Sequence, residues 1–197
     1  MSRFHLAISL AATLAMAGGA FGAPKETATP PATDAQTRAK IFNDLFAQLR
    51  DAPDAFAAGH LRALIERVWA HSGSPTGDLL MSRAESALKD QNNAQASALL
   101  DRIVGLYPDW SQGWRRRAQS AVALGDEEGA MLDLSRALQA EPRDFLAMLQ
   151  LAEIFRGQHK DGPALDLMRR ALAVDPKNDA LREDVEKLRI QVDGRDI

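Results

Sequence analysis

Prolines stand at Pro108, Pro142 and Pro176, 34 residues apart each time. A period of that length implies units too small to bury their own apolar faces alone, so copies must stack on one another. Superposing residues 77–110, 111–144 and 145–178 brings small residues into register. Ala84, Ala118 and Ala152 match in the first half of each segment, and Ala96, Ala130 and Ala164 match in the second. The larger apolar slots agree as well: Leu80, Trp114 and Met148, then Leu100, Leu134 and Met168. A small residue at one fixed place per helix lets two helices approach closely while large neighbours fill the gaps. The proline ends the second helix of each unit, because it lacks an N–H and biases the residue before it away from helical geometry.

These slots resemble the tetratricopeptide repeat, whose pattern is Trp-x2-Leu-Gly-x2-Tyr, then Ala-x3-Phe, then Pro. The second unit carries Trp114, Ala118, Ala130, Leu134, Ala137 and Pro142. The third carries Met148, Leu151, Ala152, Phe155, Ala164, Met168, Ala171 and Pro176, and the first, the most degenerate, Leu80, Ala84, Ala87, Ala96, Leu100, Ile103 and Pro108. Arg83 and Arg117 replace the Leu of the pattern, and Ala replaces its Gly. The resemblance implies an all-α helix-turn-helix solenoid in which first helices line a concave groove and second helices form the convex back.

The chain opens with one Arg, no acid, an apolar run from Leu6 to about Ala17 and then small residues, the layout of a secretory signal peptide with cleavage expected within 20–23. The run is shorter than the roughly 20 apolar residues that span a bilayer, so a chain that loses it is not a transmembrane protein. With no cysteine anywhere, neither lipidation after the run nor a disulfide is available. Residues 24–35 read as a Pro- and Thr-rich linker. A helical pair is expected over 36–76, from Ile41, Phe42, Leu45, Phe46 and Leu49 and then from Phe56 to Trp69. It lacks the Ala and Pro slots, which favours a cap over a diverged repeat. Residues 179–193 read as a C-terminal capping helix with Leu181, Val185 and Leu188 on one side, followed by a tail at 194–197. Exported and without a lipid anchor, the chain resembles small periplasmic tetratricopeptide proteins, which implies a periplasmic location.

Catalytic chemistry finds little support. His60, His71 and His159 have no metal-ligand spacing, so neither a metal nor a cofactor is expected. SGSPTG at 72–77 lacks the Gly-Lys-Ser/Thr ending of a phosphate loop and reads as a connector with Ser74 capping the next helix and Pro75 in its first turn. Asp126, Glu127 and Glu128 sit where the second helix of a unit begins, and there they complement its dipole. With 24 Lys and Arg against 27 Asp and Glu, the formal charge of −3 argues against nucleic-acid binding.

The repeat register, read through the resemblance, places a mixed set of residues on the groove: Met81, Ser82 and Glu85 in the first unit, Arg115, Arg116 and Gln119 in the second, and Leu149, Gln150, Glu153 and Arg156 in the third. Such a face suits a peptide or protein partner. Arg117, in the Leu slot, is expected to pack its stem and let its charge snorkel. Family members that clamp a C-terminal carboxylate use Asn in the slot held here by Ser82, Arg116 and Gln150, so that clamp is not expected. The function expected is a periplasmic adaptor, homo-oligomerisation being possible. A secretion-type chaperone is the alternative, and a cell-envelope hydrolase, with Glu85 or Glu153 as its acid, is the remote one.

Overall fold

The computed structural model describes residues 32–194, which form nine helices and no strand among the described residues. The signal peptide and its cleavage site, most of the linker and the last three residues lie outside them. The helices are α1 (Ala32–Arg50), α2 (Ala55–Trp69), α3 (Pro75–Lys89), α4 (Asn93–Leu106), α5 (Ser111–Ala123), α6 (Glu127–Ala140), α7 (Phe145–Gly157), α8 (Asp161–Val174) and α9 (Asp179–Asp193). The first helix therefore takes in residues 32–35, which the composition assigns to the linker.

The 34-residue period is written into the backbone as well as the side chains. The turn inside each unit uses one left-handed residue, Gln91 at φ 56°, Gly125 at φ 81° and His159 at φ 58°, each one period from the next. The following residue donates its N–H back to the first helix in every unit: Asn92 to Ala87 O at 2.8 Å, Asp126 to Ala121 O at 2.9 Å and Lys160 to Phe155 O at 2.8 Å. This bond satisfies carbonyls that a helix end otherwise leaves open. Only the central unit uses glycine there, the residue for which φ > 0 carries no steric penalty. Asn92 and Asp126 then cap the second helices through their side chains, accepting from Gln95 N and Gly129 N. Ser74 departs from expectation: it precedes α3 but makes no side-chain cap, and its hydroxyl meets that of Tyr107 at 3.1 Å. Asp78 ties the connector instead, accepting from Ser72 N at 2.7 Å.

Packing follows the small-residue register. Helices pair within units (α3 with α4, α5 with α6, α7 with α8) and between them (α4 with α5, α6 with α7, α8 with α9). Ala84, Ala96, Ala130 and Ala164 are wholly buried in the contacts they make possible. Gly113 allows a further close approach, since a Cβ there would lie 2.9 Å from Ile103 Cγ2. Ala130→Leu is accordingly expected to lower stability by about 1–3 kcal/mol through overpacking, read as a lower urea midpoint at unchanged slope. A midpoint equal to wild type would contradict the register.

The N-terminal pair does not continue the stack. The core of α3 and α4 (Leu80, Met81, Ala84, Leu100, Ile103, Tyr107, Trp110) is a cluster of its own. The apolar residues of α1 and α2 join the separate cluster formed by units 2 and 3 and α9. The hairpin passes unit 1 and lies against the turns that lead into α7 and α9. A cap seated on the outer face of α3 would need an apolar face there, yet Leu79, Ser82, Arg83 and Ser86 of α3 are solvent-exposed.

Candidate partner-binding face

The ten residues that the register assigns to the groove divide into a covered part and an open part. Met81 is buried in the core of unit 1 and presents nothing to a partner. Arg115 is also buried, at 6% exposure, which corrects its assignment to a solvent-facing groove. Its Nε lies 3.1 Å from Asp144 Oδ2, an ion pair whose acid is 0% exposed. Its Nη2 donates to Gln112 Oε1, and its guanidinium lies 5.7 Å from the Trp69 ring centroid. Burial pushes the Asp144 carboxyl up and the Arg115 guanidinium down from their ordinary values, and each partner's charge opposes that shift in the other. Asp144 has a second task, capping α7 by accepting from Ala147 N at 3.0 Å. Arg115 thus joins three elements: α5, the turn into α7, and α2.

Arg116, its neighbour, points elsewhere. Its Nη2 meets Glu85 Oε1 of the preceding unit at 3.0 Å, and its Nη1 donates to Gln119 Oε1 at 3.0 Å. The Arg116–Glu85 pair is partly exposed, so it contributes little to folding. In unit 3, Arg156 pairs with Glu153 at 3.4 Å. Ser82, Gln119, Glu153 and Arg156 are exposed, while Glu85, Arg116, Leu149 and Gln150 are half-buried. Gln150 Oε1 is buried without a hydrogen-bond partner. Beside it Leu149, Ala152, Glu153 and Arg156 open with Met168, Asn178, Leu181 and Asp184 onto a recess of about 280 Å³ between α7, α8 and α9. The open part is therefore a strip across α3, α5 and α7, with a recess of mixed apolar and charged lining at its α9 end.

Arg117 differs from expectation too. Its charge does not snorkel freely: Nε and Nη2 reach both oxygens of Asp133, at 2.8 and 2.5 Å, and Nη1 reaches Asp101 at 3.1 Å. Asp133, on the back helix α6, is buried as a result. The bidentate pair holds the Arg117 guanidinium above its usual value. His60, His71 and His159 are exposed, and no cluster of His, Asp or Glu suited to a metal occurs among the described residues.

Sequence comparison decides the family. A TPR repeat-containing protein of Rhizobium etli is 31% identical over 153 residues, covering 78% of this chain and 75% of that protein. The chain is a tetratricopeptide-repeat protein. No family model matches it. Among solved structures, the Sgt2 TPR domain from Aspergillus fumigatus aligns with a TM-score of 0.55 at 18% identity, covering 62% of this chain and 83% of that one. The first TPR domain of Spaghetti (RPAP3), bound to the HSP90 peptide SRMEEVD, aligns with a TM-score of 0.53 at 16% identity, covering 59% and 92%. These two are likenesses of fold. No helix among the described residues of this tetratricopeptide-repeat chain is long and apolar enough to cross a membrane.

Proposed function

We propose that this protein is a non-enzymatic interaction scaffold, exported to the periplasm, that holds an extended segment of a partner protein on the open strip of α3, α5 and α7. Export rests on the signal-peptide layout of residues 1–23. The observation that carries the binding site is the recurrence of exposed or half-exposed polar groups at matching positions of three repeats, Ser82, Glu85, Arg116, Gln119, Glu153 and Arg156, the first two repeats joined by the Arg116–Glu85 pair and the third opening on the Leu149 recess. Both charge signs occur along it, which matches a segment bearing an acid and a base with an apolar side chain between. Peptide binding by a structural neighbour supports the mode. It does not carry over the carboxylate clamp, because the Asn that clamp uses is Ser82, Arg116 or Gln150 here.

Site-specific photocrosslinking tests this reading. A photoreactive residue at Gln119 or Glu153 should capture one common partner, and the capture should be lost on Arg116→Ala. The same probe at Ser135, exposed on the back helix α6, should not capture it. Crosslinks from Ser135 alone would move the partner surface to the second helices.

A further inference from the structure

The joint between units 1 and 2 is built differently from the joint between units 2 and 3. In the later joint Leu151 and Ile154 of α7 and Leu167 of α8 are buried, and Met131 and Phe155 pack against the same core. One period earlier those slots hold Arg117, Ser120 and Asp133, with Ser97 and Ala121 in place of Met131 and Phe155. A methyl group where unit 3 has a phenyl ring, and shorter polar chains where it has apolar ones, do not fill the same space. The earlier joint is accordingly hollow: a recess of about 300 Å³ opens between α4, α5 and α6.

The recess has a polar floor and an apolar mouth. Ser120, which lines it, is 4% exposed, and its buried Oγ has no hydrogen-bond partner. A hydroxyl left unpaired in that way carries a desolvation cost that a bonded ligand would remove. Three carboxylates, Asp101, Asp126 and Asp133, line the recess against one cation, Arg117. Arg117 is already engaged by both oxygens of Asp133 and by Asp101. Asp101 stays exposed, and Asp126, also exposed, caps α6 through Oδ1, so the recess keeps an excess of negative charge. Leu124 and Leu132, both exposed, stand at its mouth. In unit 3 the slot of Asp126 is held by Lys160, whose Nζ lies 5.9 Å from the centroid of the Phe155 ring. There the chain supplies its own ammonium at this corner, whereas in unit 2 it supplies a carboxylate and leaves the space open.

We propose that this recess is a second binding site, one that takes a basic side chain of a partner protein flanked by aliphatic residues. The cation lies among Asp101, Asp126 and the Ser120 hydroxyl, its stem packs on Ala121, and the flanking residues cover Leu124 and Leu132. An acidic segment would meet three carboxylates beside an arginine that is already paired, and a purely apolar one would leave Ser120 Oγ unsatisfied. None of the lining residues belongs to the open strip, so the site stands whether or not the strip holds a partner.

The probe is the peptide acetyl-Leu-Lys-Leu-amide, titrated against isotopically labelled full-length protein and followed by amide NMR. Saturable shifts are expected at Asp101, Ser120, Ala121, Asp126 and Gly129, and none of comparable size at Glu153 and Arg156. Ala121→Phe restores the ring that unit 3 carries in this slot, so it should keep wild-type helicity and abolish binding. Asp101→Asn combined with Asp126→Asn retains the helix cap while removing two charges. It should weaken binding by roughly ten-fold or more, the effect of losing charge-assisted contact, and it decides the matter if Ala121→Phe does not fold. Arg116→Ala should leave the affinity unchanged, and a peptide with glutamate in place of lysine should not bind. Absence of any saturable shift in wild type would overturn the proposal, as would shifts confined to the open strip. So would a glutamate peptide that binds as tightly as the lysine one, or wild-type affinity in folded Ala121→Phe or in the Asp101→Asn/Asp126→Asn protein.

Discussion

Trp69→Ala is expected to lower the stability of the full chain by about 3–5 kcal/mol, the range for truncating a large buried aromatic. The ring is 2% exposed and touches four others or their equivalents: Phe46 at 5.8 Å, Phe42 at 6.2 Å, Phe145 at 5.3 Å and the Arg115 guanidinium. Removing it therefore empties a space bordered by α1, α5 and α7 at once. Trp69→Phe should cost much less, because the indole N–H makes no hydrogen bond that phenylalanine would lose. Urea denaturation followed by circular dichroism separates the two, and equal midpoints for Trp69→Ala and wild type would show that the hairpin is not seated through this residue.

Arg115→Ala is expected to cost about 3–5 kcal/mol as well, for an electrostatic reason: it leaves Asp144, fully buried, without the charge that faces it. The pair itself need not be strongly stabilising. Arg115→Met combined with Asp144→Asn keeps the stem volume and the helix cap while removing both charges, and it should recover most of the loss. The pH dependence has a definite sign. Burial already raises the Asp144 carboxyl, and loss of Arg115 raises it further, so in the variant the folded state binds this proton more tightly than the unfolded chain. The penalty is full above the raised folded value and is relieved as pH falls through it towards the ordinary carboxylate range. A deficit of Arg115→Ala that grew on mild acidification would contradict this assignment.

Much of the array was legible in the chain because its determinants are local and periodic. Ala130 is buried because the helix partner approaches there, and the same slot 34 residues either way, Ala96 and Ala164, repeats the condition. Arg115 and Arg116 show where periodicity runs out. Adjacent on one helix and alike in chemistry, they are separated by what faces them: Asp144 and Trp69 cover the first, whereas the second reaches back to Glu85. Asp144 carried a faint signal, since Asn178 caps α9 one period later, but an N-cap is recognisable without revealing that it also takes an arginine. Arg117 and Asp133 are 16 residues apart on the two helices of one unit. That pairing makes Asp133 a poor choice as an inert back-face position, and Arg136 a better one. The path of the hairpin was not legible at all: an apolar pair without repeat slots fits equally well on the end of a stack or across its turns, and the choice depends on distant residues such as Phe145 and Asp175.

The proposed function places partner recognition on the open strip of first helices. Calorimetric titration of the partner segment captured from Gln119 tests it most directly, comparing wild type with Arg116→Ala/Arg156→Ala and with the back-face pair Arg136→Ala/Gln139→Ala. The strip pair should weaken binding roughly ten- to a hundred-fold, the effect of losing about 1.5–3 kcal/mol of charge-assisted contact, at unchanged helicity and melting. The back-face pair should leave affinity at the wild-type value. A back-face loss larger than the strip loss would contradict the account.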